Sequence, residues 1–255
     1  MVNGITVNSM SNAEGTRALS QFELDATLDL QMLKDGFKKK GRLYIPMILR
    51  TVDAQRLHNC LHRDMDWGML VCAGPSMGRQ YISPDKIKTL AGIEERTLLD
   101  AAYAHAGKCG SHIYDSTPLH QRELQLPPAM AQFLSFLNSN TFLEFVRAVT
   151  GMEDITRASA QAVRFRIGHF FGFHVDVDRP GKQRASCVFN LSDHWMAQWG
   201  GLLQFKGADG HIDEAYVPRF NSLSIFAASQ EHAVSCVSPA ADRARYSVSV
   251  ALIAE

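Results

Sequence analysis

Apolar positions along the chain fall into two textures that change near residue 151. In the first, spacing is helical. Leu28, Met32, Leu33 and Phe37 recur near helical intervals in 26–40, and Lys38, Lys39 and Lys40 before Gly41 form a basic last turn and a stop. Leu43 to Pro46 reads as a short extended piece. Thr51 is expected to cap a helix carrying Val52, Leu57 and Leu61. Ser83-Pro84 pairs a cap with proline at the first helical position and predicts helix, with room for a break, to about Ala106. Pro127-Pro128 opens another, with Met130, Phe133, Leu134 and Leu137 inside. Asn140 begins the last, with Phe142, Phe145, Val146 and Val149 inward and Gly151 as its stop.

Beyond Ala160 the period shortens to two. Val163 to Ile167, Ala185 to Leu191 and Arg245 to Val250 alternate. Gly200 to Phe205, Ser222 to Phe226 and His232 to Val237 are further short strands, and Asp209-Gly210 is a hairpin signal. Many short strands with turn residues between them predict a sandwich, jelly roll or barrel-like pair of sheets. The expected layout is a tail at 1–20, a mainly helical supporting region at 21–150 and a β core at 151–255, together one compact domain.

Composition narrows the partners. The chain has 255 residues, with 26 Lys+Arg against 26 Asp+Glu. That balance gives no general attraction to nucleic acid or anionic lipid. No apolar run approaches the roughly 20 residues of a membrane helix, and residues 1–20 do not read as a secretory signal. Cys60, Cys72, Cys109, Cys187 and Cys236 are odd in number, with no C-x-x-C pair, so a disulfide framework or zinc knuckle is not expected. The expectation is a cytoplasmic enzyme or binding protein.

The chemistry begins at His174-Val175-Asp176. On a strand, residues two apart share a face, so imidazole and carboxylate project side by side. Alone, an H-x-D is common by chance among ten histidines. His232, a second strand-borne histidine, lies 56 residues on. Two histidines and one carboxylate form the facial set that leaves positions open on a non-haem Fe(II). A structural zinc would want four protein ligands, usually with thiolates. In Arg245-Tyr246-Ser247 the arginine and serine share a face, a pairing suited to a carboxylate. An isolated R-x-S is by default a surface cation beside a serine.

Order and context link these pieces. After the H-x-D come Asn190-Leu191, then Trp195 and Trp199-Gly200-Gly201 with Leu203 and Phe205. V-P-R-F-N-x-L-x-x-F follows from Val217 to Phe226, then H-x-V-S from His232, then R-Y-S-V from Arg245. This stretch of about ninety residues resembles the Fe(II)/2-oxoglutarate-dependent oxygenases, in the prolyl-hydroxylase-like branch and its bacterial members. The resemblance implies a double-stranded β-helix (a cupin-like jelly roll) with supporting N-terminal helices, an α+β chain with a mainly β core. It implies iron on His174, Asp176 and His232, 2-oxoglutarate anchored by Arg245 with Ser247 as helper, and Asn190 as a weaker co-substrate contact.

The chain departs from the family in places. Relatives often carry a tyrosine on the strand before the H-x-D; here Arg164 and Arg166 occupy it, and Arg166 becomes a candidate contact for co-substrate or a substrate carboxylate. Arg243 shares the parity of Arg245 and is a rival anchor. Asp178 continues the parity of Asp176, and Tyr114-Asp115 falls where relatives place a substrate-side strand. Halogenating relatives put a small residue at the position of Asp176, so a carboxylate there implies hydroxylation of an unactivated C–H, with O2 as oxidant. The implied substrate is a prolyl residue in a peptide or protein; the alternatives are a free amino acid or other small molecule. Two rivals from other classes are a silent β-helix binding module and a cupin-like metalloenzyme that does not use 2-oxoglutarate.

Overall fold

The computed structural model describes residues 21–73, 78–90, 92–107, 110–120, 125–176 and 182–254. The expected tail at 1–20 and the candidate Asp178 lie outside them. The helices are α1 (Leu30–Lys40), α2 (Thr51–Arg63), α3 (Pro84–Thr89), α4 (Gly92–Ala104), α5 (Pro128–Leu137) and α6 (Asn140–Thr150). The strands of the N-terminal half are β1 (Arg42–Pro46), β2 (Gly68–Cys72), β3 (Arg79–Ile82) and β4 (His112–Pro118). The rest are β5 (Ile155–Phe165), β6 (Phe170–His174), β7 (Gln183–Asn190), β8 (Leu203–Lys206), β9 (Ile212–Tyr216), β10 (Ser222–Ala227), β11 (His232–Val234) and β12 (Arg245–Ala254).

Local chemistry accounts for several boundaries. Asp29 caps α1 by accepting from the Met32 backbone, and Gly41 closes it at φ 66°. Ser139 caps α6 and Gly151 ends it in the same left-handed conformation. Thr51 is not a cap: Arg50 precedes α2 without a side-chain bond, and Thr51 is already helical. The break after Pro84 falls at Leu90, where the backbone turns extended.

The strands pair antiparallel in the order β1-β10-β7-β12-β5-β4-β6-β11-β8-β9, with β2 between β3 and β4. This is a barrel-like jelly roll. The region before residue 151 is therefore less helical than its sequence suggests, since β1 to β4 all join the sheet. One face of the long strands meets helices. Val248, Val250 and Leu252 of β12 share a core with Leu57 and Leu61 of α2, Phe133 of α5 and Phe142 of α6. The alternate residues Arg245, Ser247 and Ser249 face an internal cavity. On the other side, Met69, Val71 and Ile113 pack against Ala102 of α4, which turns Leu70, Cys72, His112 and Tyr114 inward. No helix among the described residues is long and apolar enough to cross a membrane.

Candidate active site

His174 is the last residue of β6, and His232 opens β11 directly opposite it in the ladder. Asp176 lies one bend later, its backbone N–H held by Ala228 O at 3.1 Å. Possible ligand atoms of these three residues all fall within 4.8 Å of one another. Asp176 oxygens lie 3.4 Å from His174 Nε2 and 3.7 Å from His232 Nε2. Both rings are oriented the same way. His174 Nδ1 donates to Gly172 O and His232 Nδ1 to Gln230 O, each at 2.9 Å. A carbonyl can only accept, so each Nε2 is left with a bare lone pair turned toward the carboxylate.

Packing fixes the rings. Phe171 stacks on His174 with centroids 3.7 Å apart, and Phe226 lies 4.5 Å from His232. Ser186 donates to Asp176 Oδ2. Burial lowers the His232 pKa below its ordinary value, favouring the neutral ring. Burial pushes Asp176 upward, but the adjacent imidazoles of His174 and His232 and the Ser186 hydroxyl outweigh it, so the carboxyl lies below its usual range.

The three residues line a cavity of about 600 Å³, shared with Arg245, Ser247, Tyr114, His112 and Arg79. Arg245 is wholly buried on β12 opposite Phe165, with its guanidinium over that ring at 5.2 Å. Nη2 donates to Asn190 Oδ1 at 3.3 Å, whereas Nε and Nη1 have no partner. Burial pulls its pKa down to about 10, so it remains a cation at neutral pH. Asn190 does not line the cavity; tied to Ser222 Oγ at 3.2 Å, it steers Arg245 from behind. It is thus placed behind the expected co-substrate contact.

Arg166 is placed away from the cavity, contrary to expectation. It lies one residue past the end of β5 and is not among the residues that line the cavity. Arg166 forks onto Asp115 at 2.7 and 3.0 Å and pairs with Glu95 at 2.5 Å, while Arg164 reaches the same Asp115 at 2.7 Å. Both arginines are consumed by one buried carboxylate. Arg243, the rival anchor, is a surface residue paired with Asp242 and Asp193. His169 is buried, and that burial lowers its pKa to about 4. Trp195, Trp199 and Phe205 are buried in the core. Sequence reasoning missed Arg79 and His112 as cavity residues. Their strands lack a clean alternation, and nothing in their immediate sequence marks chemistry.

The family model described as the 2OG-Fe(II) oxygenase superfamily matches residues 160–252. Residues 160–252, which carry His174, Asp176, His232 and Arg245, are similar to that superfamily. Its metal and co-substrates are Fe(II), 2-oxoglutarate and O2. No curated protein matches the chain. Among solved structures, a prolyl-4-hydroxylase from Pseudomonas putida has a TM-score of 0.57 at 17% identity, covering 89% of this chain and 99% of its own. A prolyl hydroxylase from Trichoplax adhaerens, in complex with a peptide fragment of the hypoxia inducible factor oxygen degradation domain, scores 0.59 at 12%, covering 88% and 89%. The non-heme alpha ketoglutarate dependent epimerase SnoN scores 0.53 at 11%, covering 87% and 81%. At these identities the likeness is one of fold, and the same fold carries more than one reaction.

The residues present fit the superfamily's requirements. Two bare imidazole nitrogens and a carboxylate suit Fe(II) with positions to spare. An arginine buried without a counter-charge suits the far carboxylate of 2-oxoglutarate.

Proposed function

We propose that the chain is an Fe(II)- and 2-oxoglutarate-dependent hydroxylase in which His174, Asp176 and His232 hold the metal and Arg245, with Ser247, anchors the co-substrate. The observation that carries this reading is the pairing of two sites in one cavity: a converged His/Asp/His set, and a buried cation lacking an anion. The chemistry such a site would supply when loaded with Fe(II), 2-oxoglutarate and O2 is conversion of C–H to C–OH, coupled to conversion of the co-substrate to succinate and CO2.

The protein's own share is positional. Gly172 O and Gln230 O fix the histidine tautomers, and Ser186 aims Asp176. Asn190 holds the guanidinium of Arg245. Phe165, Phe171, Val188, Leu203 and Phe226 give the cavity apolar walls that exclude water. The likeness to prolyl hydroxylases supports a prolyl residue of a peptide or protein as substrate. The test is to incubate the protein with Fe(II), 2-oxoglutarate and candidate substrates in air, measuring succinate and a mass gain of one oxygen. Succinate release should require iron and vanish in His174→Ala and Asp176→Ala. Release that survives either substitution would refute the assignment.

A further inference from the structure

Across the ladder, Arg79 of β3 stands opposite Cys72 of β2, Cys72 opposite His112 of β4, and His112 opposite Phe171 of β6. Directly paired residues share a face of a sheet. All four line the same cavity as the His/Asp/His set. Phe171 is the ring that stacks on His174, so this row runs from the proposed metal position to the cavity mouth. Arg79 stands about 14 Å from β6 at the backbone, three strand spacings, and its long side chain extends into the gap.

Two buried polar atoms, on His112 of this row and on Tyr114 two residues along β4, have no partner, and an arginine without a carboxylate stands at the row's outer end. Arg79 is exposed at the mouth and meets no carboxylate among the described residues. His112 is buried with Nδ1 donating to Gly110 O at 2.7 Å, which leaves Nε2 a bare acceptor with no partner. The hydroxyl of buried Tyr114 has no hydrogen bond of good geometry, and Arg79 and Gln161 are polar side chains close enough to act on it. Buried polar atoms are rarely left this way unless a ligand or ordered water completes them. Burial holds the His112 ring neutral, with a pKa near 4, so its role as acceptor persists across the neutral range.

Charge points the same way. Among the described residues, the formal charges lining the cavity are Asp176, Arg245 and Arg79, apart from histidines. Iron(II), 2-oxoglutarate, Asp176 and Arg245 cancel among themselves. Arg79 is then one positive charge in excess, facing the space left for substrate.

We infer that Arg79, His112 and Tyr114 form a subsite for a substrate carboxylate with a neighbouring N–H donor: Arg79 and the Tyr114 hydroxyl take the carboxylate, and His112 Nε2 accepts the N–H. This rests on the hydroxylase reading and specifies its substrate. Arg164 and Arg166 cannot serve, since Asp115 already holds both outside the cavity. The carboxylate has two possible sources, the α-carboxylate of a free amino or imino acid and an acidic side chain within a peptide.

The test follows succinate release against substrate concentration for wild type, Arg79→Gln and Arg79→Lys. One arm uses free L-amino acids, L-proline included, with their amides. The other uses prolyl peptides with Glu beside the proline, with their Gln analogues. The subsite predicts that at least one acid stimulates turnover and that its amide has a KM about 10-fold higher or more in wild type. Arg79→Gln should raise the KM of the acid similarly and make acid and amide alike, and Arg79→Lys should recover part of the loss. The KM for 2-oxoglutarate should not follow. Which arm responds identifies the source. Stimulation only by uncharged compounds or by none, independent multiplication of the two penalties, or a shift of the 2-oxoglutarate KM instead would each overturn the subsite. Absence of iron-dependent succinate, even the slow release without substrate, would instead sink the hydroxylase reading, and the subsite with it.

Discussion

Taking a guanidinium out of water costs several kcal/mol unless an anion meets it, and Arg245 is wholly buried with one neutral hydrogen bond. That cost is tolerable where a ligand carboxylate regularly completes the site. Replacing Arg245 with Met should therefore leave the melting temperature of the ligand-free protein unchanged or raised, while abolishing the stabilisation that 2-oxoglutarate gives wild type. Its 2-oxoglutarate KM should rise about 10- to 100-fold, the range of a charge-assisted hydrogen-bond pair. Thermal melts and succinate kinetics read both. Asp115 is the opposite case, a buried carboxylate with its cations in place. Burial would raise its pKa, but the hydrogen bond from Arg166, nearby His169 and the charges of Arg166 and Arg164 prevail and lower it below 3.8. A depressed carboxylate stabilises the fold above its unfolded pKa and loses that contribution as pH falls through the folded value. Asp115→Asn should cost about 3 kcal/mol at neutral pH, because it strands two arginines that still reach solvent. In denaturant melts the gap from wild type should hold down to about pH 4 and narrow below it.

At the scale of elements, what could be read in the sequence followed from how many faces each element shows to different surroundings. α6 carries a cap, a stop and one apolar face, so its bounds were legible. β12 alternates because helices cover one face and the cavity the other, and the same parity told Arg245 and Ser247 from Tyr246. β4 was seen only as an ill-defined Tyr114-Asp115 segment, since it is buried on both faces yet rich in polar residues, and its alternation does not separate apolar from polar. β3 is largely exposed and mostly polar, which hid Arg79. The parity of Arg166 was readable, but its partner was not. Asp115 is 51 residues away, and only the β4–β5 pairing brings it near. Gly200 shows where backbone decides. At φ 68° and ψ −147° it occupies a conformation open essentially to glycine alone, and an added Cβ would sit 2.1 Å from Cys236 O. Its carbonyl accepts from Trp195 Nε1, and neighbouring Gly201 leaves room for the Arg245 side chain. Gly200→Ala should destabilise by about 3 kcal/mol or more, measured by chemical denaturation, and should weaken 2-oxoglutarate binding by loosening this contact.

In the whole molecule, one sheet separates two tasks. Its outer face buries aromatic and aliphatic side chains from α1, α2, α5 and α6, and its inner face holds polar groups around a cavity. The main core lies away from the metal-binding set, so the fold does not depend on the metal. Removing iron with a chelator should abolish succinate formation and leave the far-UV circular dichroism spectrum unchanged. Stability should fall only by the mass-action share of a bound ligand, about 2.7 kcal/mol at a hundredfold excess over Kd, and the melting temperature only by the shift that this free energy produces. The most direct test of the central assignment is an anaerobic crystal structure with Mn(II) in place of iron and 2-oxoglutarate added. The account predicts one metal per chain on His174 Nε2, His232 Nε2 and an Asp176 oxygen, with the far carboxylate of 2-oxoglutarate on Arg245. A metal bound elsewhere, or a co-substrate whose carboxylate leaves Arg245 unpaired, would contradict it.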